Sequence, residues 1–236
     1  MDRFDEVFKA RPAVLPVIHV VDEDQVMRNI FVAQRAGSNG VFLINHKMIG
    51  RKFLDIYEIA ADRFSDFWIG INCLDLRPGE IFNEVARRGL LNLAGIWTDN
   101  ALINEYSEDQ SEAERINELR QNSGWKGLYF GGVAFKYQPL VRELEKAAIL
   151  AAKYVDVVTT SGPGTGRAAE IEKIRRMKTA VGAKPLAIAS GITPDNVRGY
   201  LKITDCFLAA TGISEDFFTL DPQKIRSLIK KAREEI

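Results

Sequence analysis

The segment Ala187-Ile188-Ala189-Ser190-Gly191-Ile192-Thr193-Pro194-Asp195-Asn196, followed by Leu208-Ala209-Ala210-Thr211-Gly212-Ile213-Ser214, carries the most information about the architecture. Each part begins as an apolar run and stops at a hydroxyl residue followed by glycine. A run that stops this way leaves backbone N–H groups with no Cβ in front of them. Pro194 pre-sets φ for the first turn of a helix whose positive end then faces an anion. Two such ends in succession near the C-terminus fit the last two βα turns of an eight-stranded β/α barrel, where phosphate sites commonly form.

The rest of the chain repeats the same alternation. Short β-rich runs are expected at Val14 to Val20, Val41 to Asn45, Phe67 to Asn72, Ala94 to Thr98, Gly127 to Phe135, Val155 to Thr160, Pro185 to Ser190 and Cys206 to Ala210. Several are nearly continuous in apolar residues, as strands buried on both faces are. Between them apolar residues recur at helical spacing, as in Val26, Ile30 and Ala33, in Ile171, Ile174, Met177 and Val181, and in Ile225, Leu228, Ala232 and Ile236. Strand and helix in alternation imply βαβ units and a parallel sheet. Eight units in 236 residues predict one α/β domain, a single (β/α)8 TIM barrel over residues 1–236, with residues 1–10 as an N-terminal cap on its floor. A doubly wound open sheet is the competing architecture, because periodicity does not distinguish a closed sheet from an open one. Asp221-Pro222 reads as the N-cap and first residue of the final helix, and Asn104 to Gly124 as a mobile surface helix.

Composition narrows the function. Lys plus Arg and Asp plus Glu number 32 each, so no basic field exists to neutralise a nucleic-acid backbone, and no nucleic-acid partner is expected. The start Met1-Asp2-Arg3-Phe4-Asp5-Glu6 lacks the form of a signal peptide, and no apolar segment approaches the ~20 residues a bilayer requires. A cytoplasmic protein without membrane insertion is expected. Cys73 and Cys206 sit in apolar surroundings and are expected to be buried and reduced. A homo-oligomer is compatible with a barrel of this size, although no sequence feature specifies an interface.

In a barrel the reactive groups stand at strand C-termini. The candidates there for catalysis are His19, Asp99 and Lys136: an imidazole, a carboxyl whose pKa burial would raise, and an ammonium able to pair with phosphate or, when desolvated, to form a Schiff base. The candidates for phosphate and substrate binding are Asn45, Asn72 and Thr160, then Ser190, Gly191 and Ile192 after the seventh strand, and Thr211, Gly212 and Ile213 after the eighth. The loop Ser161-Gly162-Pro163-Gly164-Thr165-Gly166-Arg167 adds Gly164, Thr165 and Gly166, because successive free N–H groups in such a turn form an anion-binding nest. It is not a dinucleotide fingerprint, since Arg167 stands where the third glycine is required, and it lacks the Gly-Lys-Ser/Thr of a Walker loop. No cofactor is expected. No His/Asp spacing suggests a metal site.

At Asp156-Val157-Val158-Thr159-Thr160-Ser161-Gly162-Pro163-Gly164-Thr165-Gly166, Ile171-Glu172-Lys173-Ile174-Arg175 and Ser190-Gly191-Ile192-Thr193-Pro194-Asp195-Asn196-Val197, the chain resembles the BtpA family of TIM barrels. Upstream, His19, Asn45, Asn72 and Lys136 look similar to polar positions of that family. The family takes its name from a role in assembling or stabilising photosystem I, and its fold resembles ribulose-phosphate-binding barrels. The resemblance implies a barrel with a phosphate-type site. The expected activity is acid–base chemistry of the isomerase, lyase or aldolase kind on a small phosphorylated sugar or phosphoribosyl compound. Two alternatives stand beside it. One is an adenine-type phosphoribosyltransferase, suggested by the superficial likeness of Val155 to Gly162 to a phosphoribosyl-pyrophosphate loop. The other is a non-catalytic assembly protein of the BtpA type that keeps an inherited anion pocket.

Overall fold

The computed structural model describes residues 2–234, so Met1 and Ile236, the last position of the C-terminal stripe, lie outside the described residues. Strands β1 (Ala13–His19), β2 (Val41–Ile44), β3 (Ile69–Asn72), β4 (Gly95–Thr98), β5 (Leu128–Gly132), β6 (Val157–Thr160), β7 (Leu186–Ile188) and β8 (Cys206–Ala209) pair in chain order, each parallel to the next. The ring closes where Ala13, Val14, Leu15 and Pro16 of β1 meet Cys206, Phe207, Leu208 and Ala209 of β8. That pairing rules out the open sheet.

A strand side chain alternates between faces with period two. Leu15 and Val17, Phe42 and Ile44, Trp97, Phe130, Val157, Ala187 and Leu208 point inward and form one buried cluster. The residues between them, such as Ile18, Leu43, Ile96, Tyr129, Val158, Ile188 and Phe207, point outward into the larger core beneath the helices. The lower half of the barrel is filled with aromatic rings in edge contact: Phe42 lies 5.1 Å from both Trp68 and Phe130 and 5.7 Å from Trp97. Helix α1 (Arg3–Val7) sets Phe4 and Phe8 against this layer, with Phe8 5.2 Å from Trp68.

Helices α2 (Glu23–Arg35), α3 (Gly50–Arg63), α4 (Glu80–Arg88), α5 (Ser111–Asn122), α6 (Leu144–Ala151) and α7 (Ile171–Val181) follow β1 to β6, and α8 (Pro222–Ala232) follows β8. Asp221 caps α8 by accepting the N–H groups of Gln223 and Lys224, with proline as the next residue. The helix expected after Pro194 does not form. The chain makes only a 3₁₀ turn there, Val197–Tyr200. Local side chains take the groups a helix would use: Asn196 accepts from Thr193 N–H at 2.9 Å and donates to Gly191 C=O at 2.7 Å, and Thr193 Oγ1 accepts from Asp195 N–H. The fifth strand, expected to reach Phe135, stops at Gly132, because Ala134 and Tyr137 take the left-handed conformation, φ 47° and 62°.

At the floor, Asp205 collects three donors: Arg11 at 2.6 Å, Lys178 at 2.7 Å and Leu186 N–H at 2.8 Å. Its carboxylate is nearly buried and ties the entry to β1, helix α7 and strand β7 together. Removing it leaves Lys178 partly buried without a counter-charge and Leu186 N–H without its acceptor, while Arg11 keeps Asp2 and Asp5, so Asp205→Ala is expected to lower unfolding stability by about 3 kcal/mol in urea denaturation. A midpoint within error of the parent protein contradicts this account of the floor.

Candidate functional site

The period-two alternation that fills the barrel also selects what reaches its mouth. Carried to the end of β1, two residues past β2 and one past β4, it turns His19 inward with Val17, His46 with Ile44, and Asp99 with Trp97. These meet Lys136 in a cavity of about 490 Å³ at the C-terminal end of the strands, whose opposite wall is made by Gly166, Gly191 and Thr211. The three catalytic candidates and members of all three glycine-containing loops therefore share one chamber.

The same rule places Asn45 and Thr160 outside it. Asn45 has the parity of Leu43, and its amide is held between the β2 and β3 loops: it donates to Met48 C=O at 2.8 Å and Asp75 Oδ1 at 2.6 Å and accepts from Leu74 N–H at 2.7 Å. Thr160 has the parity of Val158 and donates to Ala134 C=O at 3.2 Å. Both are fully buried and neither lines the cavity. Ile192 and Ile213 are core residues. Asn72 does not line the cavity either but acts one step away, donating to Asp99 Oδ1 at 2.9 Å.

The glycine-containing loops interlock. Gly191 has φ +66°, and a Cβ there would stand 2.2 Å from Ala168 N; a Cβ on Gly212 would stand 2.0 Å from Ile192 O. Only glycine lets these backbones approach so closely. Ser190 lines the cavity, but its hydroxyl is already engaged, accepting from Gly162 N–H at 2.9 Å and donating to Arg167 C=O at 3.1 Å. It fastens the β6 loop to the end of β7 and is not a free anion donor. Thr165 lines the cavity and its hydroxyl lies 3.4 Å from that of Tyr137, whereas Gly164 does not line it. Gly212 and Ile192 do not line the cavity; among the described residues the N–H groups of Gly191 and Thr211, which do, donate to no acceptor of the chain, so this wall keeps backbone donors available.

Burial shifts the carboxyl, the ammonium and both imidazoles of the chamber, whereas the exposed Tyr137 is lowered by its hydrogen bonds with Thr165. The carboxyl of Asp99 is raised by desolvation, offset in part by the Asn72 amide and the Lys136 charge. Lys136 is lowered by desolvation, offset in part by Asp99. A carboxyl shifted up and an ammonium shifted down favour proton exchange, the pattern expected of an acid–base site. His19 Nδ1 and His46 Nε2 are 2.6 Å apart and share one hydrogen bond. Burial, then His46 and Lys136, push His19 down to about 4, and His46 is lowered by burial and Lys136, so the pair is neutral at pH 7. Among the described residues no group of three or more His, Cys, Asp or Glu side chains is arranged to hold a metal ion. Cys73 and Cys206 are buried and free.

Several residues here escape a reading of motifs. His46 is one position past the Asn45 that motif reading selects, and strand parity alone would have chosen it. Phe217, stacked on the His19 ring at 4.1 Å, follows the stretch Ser214-Glu215-Asp216, where an aromatic pair is the only signal. Lys173 stands in the Ile171–Arg175 segment that carries the family resemblance, but nothing there separates it from the charged residues of a solvated helix face. It reaches back from the first turn of α7 to donate to Ala134 C=O at 2.6 Å and Ser161 C=O at 2.7 Å, and burial lowers it to about 8. Ser161 Oγ in turn accepts the N–H of Lys136 at 2.7 Å, so these contacts hold the left-handed loop that presents Lys136. The phosphoribosyltransferase likeness loses its geometry. Asp156 pairs with Arg120 at 2.5 Å near the floor, and the five residue steps along β6 to Ser161 put it about 16 Å from the start of the Ser161–Arg167 loop.

The fold and this chamber define a β/α barrel with a polar site at the mouth. Residues 133–234 match the model of the BtpA family. No curated protein matches the sequence. Among solved structures the chain is similar to phosphoribosyl anthranilate isomerase from Thermus thermophilus, at 14% identity and TM-score 0.64 over 93% of this chain and 97% of that one. It is also similar to (S)-3-O-geranylgeranylglyceryl phosphate synthase from Thermoplasma acidophilum, solved with sn-glycerol-1-phosphate, at 14% identity and TM-score 0.64 over the whole of both chains. A third is orotidine 5'-monophosphate decarboxylase from Methanocaldococcus jannaschii, at 12% identity and TM-score 0.67 over 96% and 100%. At these identities the likeness establishes the barrel. No helix among the described residues is long and apolar enough to cross a membrane.

His19 gives a test of the chamber's dryness. Its folded pKa, about 4, lies below the ordinary histidine value of 6.5, so between these values the unfolded chain binds a proton that the folded chain refuses. Stability is therefore expected to fall as pH drops from about 6.5 toward 4, by on the order of 3 kcal/mol. In urea titrations at stepped pH, His19→Gln is expected to flatten this dependence; an unchanged slope means His19 is not the group responsible.

Proposed function

We propose that this chain is an enzyme that holds a small phosphorylated sugar or phosphoribosyl compound in the mouth of its barrel and moves a proton on it. The observation that carries the reading is the single cavity with loop backbone donors on one wall and a shifted carboxyl and ammonium on the other. The phosphate lies against Gly166, Gly191 and Thr211. N–H groups of the β7 and β8 turns suit an anion because they are fixed by loop packing before the ligand arrives, so little ordering is needed on binding. The match to the BtpA family and the phosphate-bearing compounds named for the barrel neighbours support the same reading.

At the other end of the ligand, Asp99 and Lys136 act as the acid–base pair. Asn72 orients the Asp99 carboxyl, and the clamped loop orients Lys136. Removing a proton from carbon beside a carbonyl, and returning it to a neighbouring atom, needs one base and one acid whose pKa values lie close together, and burial brings these two closer. His19, neutral and fixed by His46, serves as a hydrogen-bonding partner to the reacting oxygen rather than as a cation.

The reading is tested with inorganic phosphate and a panel of phosphoketoses and phosphoaldoses. Phosphate compounds are expected to raise the unfolding temperature, by an amount equivalent to about 2.7 kcal/mol at a hundred times the dissociation constant. At least one is expected to take up deuterium from solvent at the carbon beside its carbonyl. Asp99→Asn and Lys136→Met are expected to keep the thermal shift and to slow exchange by about 10²–10⁴-fold. Absence of both shift and exchange across the panel refutes the proposal.

A further inference from the structure

The chamber's mouth has two unlike sectors. The sector made by the β6, β7 and β8 turns is glycine-rich and offers backbone donors. The sector made by the β1, β2, β3 loops and the β8–α8 loop carries large exposed apolar side chains: Val21, Ile49, Leu74, Phe217 and Phe218, with Ile49 69% exposed. A second cavity of about 680 Å³ runs along this sector, and it shares His46 and Phe217 with the chamber itself. Its lining holds Lys47 and Lys52 but no carboxylate. The apolar surface is therefore continuous with the site.

The loop's own hydrogen bonds hold the aromatic side chains there. The Phe218 carbonyl accepts from Gln25 Nε2 at 2.8 Å and Asn29 Nδ2 at 2.7 Å, both amides being buried on α2. Asn29 Oδ1 also accepts from Leu220 N–H at 2.9 Å, and Asp216 accepts from Phe218 and Thr219 N–H at 2.7 and 2.8 Å. Fixing a loop this firmly while leaving two phenyl rings partly in water costs hydration free energy with no folding return, and contiguous exposed apolar surface at a site marks what the site receives.

We infer that the ligand of this mouth is a phosphorylated compound whose far end is a hydrocarbon or aromatic group, seated between Ile49, Leu74 and Phe217. The inference rests on the phosphate reading above and names the part of the ligand beyond its phosphate. The polar centre lies between the two ends, facing Asp99 and Lys136. A hydroxylated body gains nothing from this sector, whereas an apolar one displaces water from three or more side chains at once.

The test uses phosphomonoesters of one homologous series, methyl, butyl, hexyl and octyl phosphate, with phenyl phosphate added, and measures affinity by calorimetry. Affinity is expected to rise with chain length, by up to about fourfold per methylene buried (about 0.8 kcal/mol). In Phe217→Ala and in Ile49→Ser, both changes at exposed positions, the dependence on chain length is expected to flatten, with methyl phosphate as the internal reference within each variant. If methyl phosphate binds and affinity does not rise along the series, this inference is overturned while the phosphate site stands. It is equally overturned if the rise persists undiminished in both variants, or if the series is flat and the apolar sector instead holds the protein on anionic phospholipid vesicles in sedimentation. If no member of the series and no inorganic phosphate binds, the phosphate reading fails and takes this inference with it.

Discussion

Closing eight parallel strands into a ring gives each strand side chain two destinations, the barrel interior or the layer beneath the helices. The strand-borne wall of the chamber follows from that partition. Inward positions fill the lower barrel with rings and branched side chains, Leu15, Phe42, Trp97, Phe130 and Leu208 among them. The next inward positions have nothing above them and become the chamber wall: His19, His46 and Asp99. Outward positions at the same height, Asn45 and Thr160, are used to hold loops in place. The chamber is the upper end of the core, and its chemistry is set by where apolar filling gives way to polar side chains.

Loop packing, more than helix termini, gives the glycine-rich wall its shape. The β7 and β8 turns lead into 3₁₀ turns of four and three residues, too short to contribute a sustained helix dipole. Rigidity comes instead from backbone pressed on backbone, at Gly191 against Ala168 and Gly212 against Ile192, with the Ser190 hydroxyl joining two loops. On the opposite wall, Lys173 does comparable work without any carboxylate partner, by donating to two carbonyls. These contacts fix the groups around the chamber before a ligand arrives, which is the condition under which hydrogen-bond donors act with least reorganisation.

The barrel was legible in the sequence because it is written redundantly, in eight apolar runs separated by helical stripes. The paired Gly-terminated ends after β7 and β8 were legible for a similar reason, since a backbone that must approach another has no substitute for glycine. What the sequence did not disclose depends on relations between distant residues. The helix after Pro194 was lost to Asn196 and Thr193, whose side chains compete locally for backbone groups. Strand β5 ended early because Lys173, 39 positions later, supports left-handed backbone at Ala134. Ser190 looked like a free hydroxyl until its two partners across the β6 loop were in view. Asn45 and His46 are a different case: counting by two from Phe42 would have separated them without any structure.

The aromatic layer under the chamber has one more implication. Phe42, Trp68, Trp97 and Phe130 fill the lower barrel, and Phe4 and Phe8 close it from beneath. The chamber is consequently a cul-de-sac. Whatever enters past Phe217 and Tyr137 must retreat along the same path, so arrival and departure compete for one doorway. A molecule longer than the chamber has to leave its tail hanging over the sill.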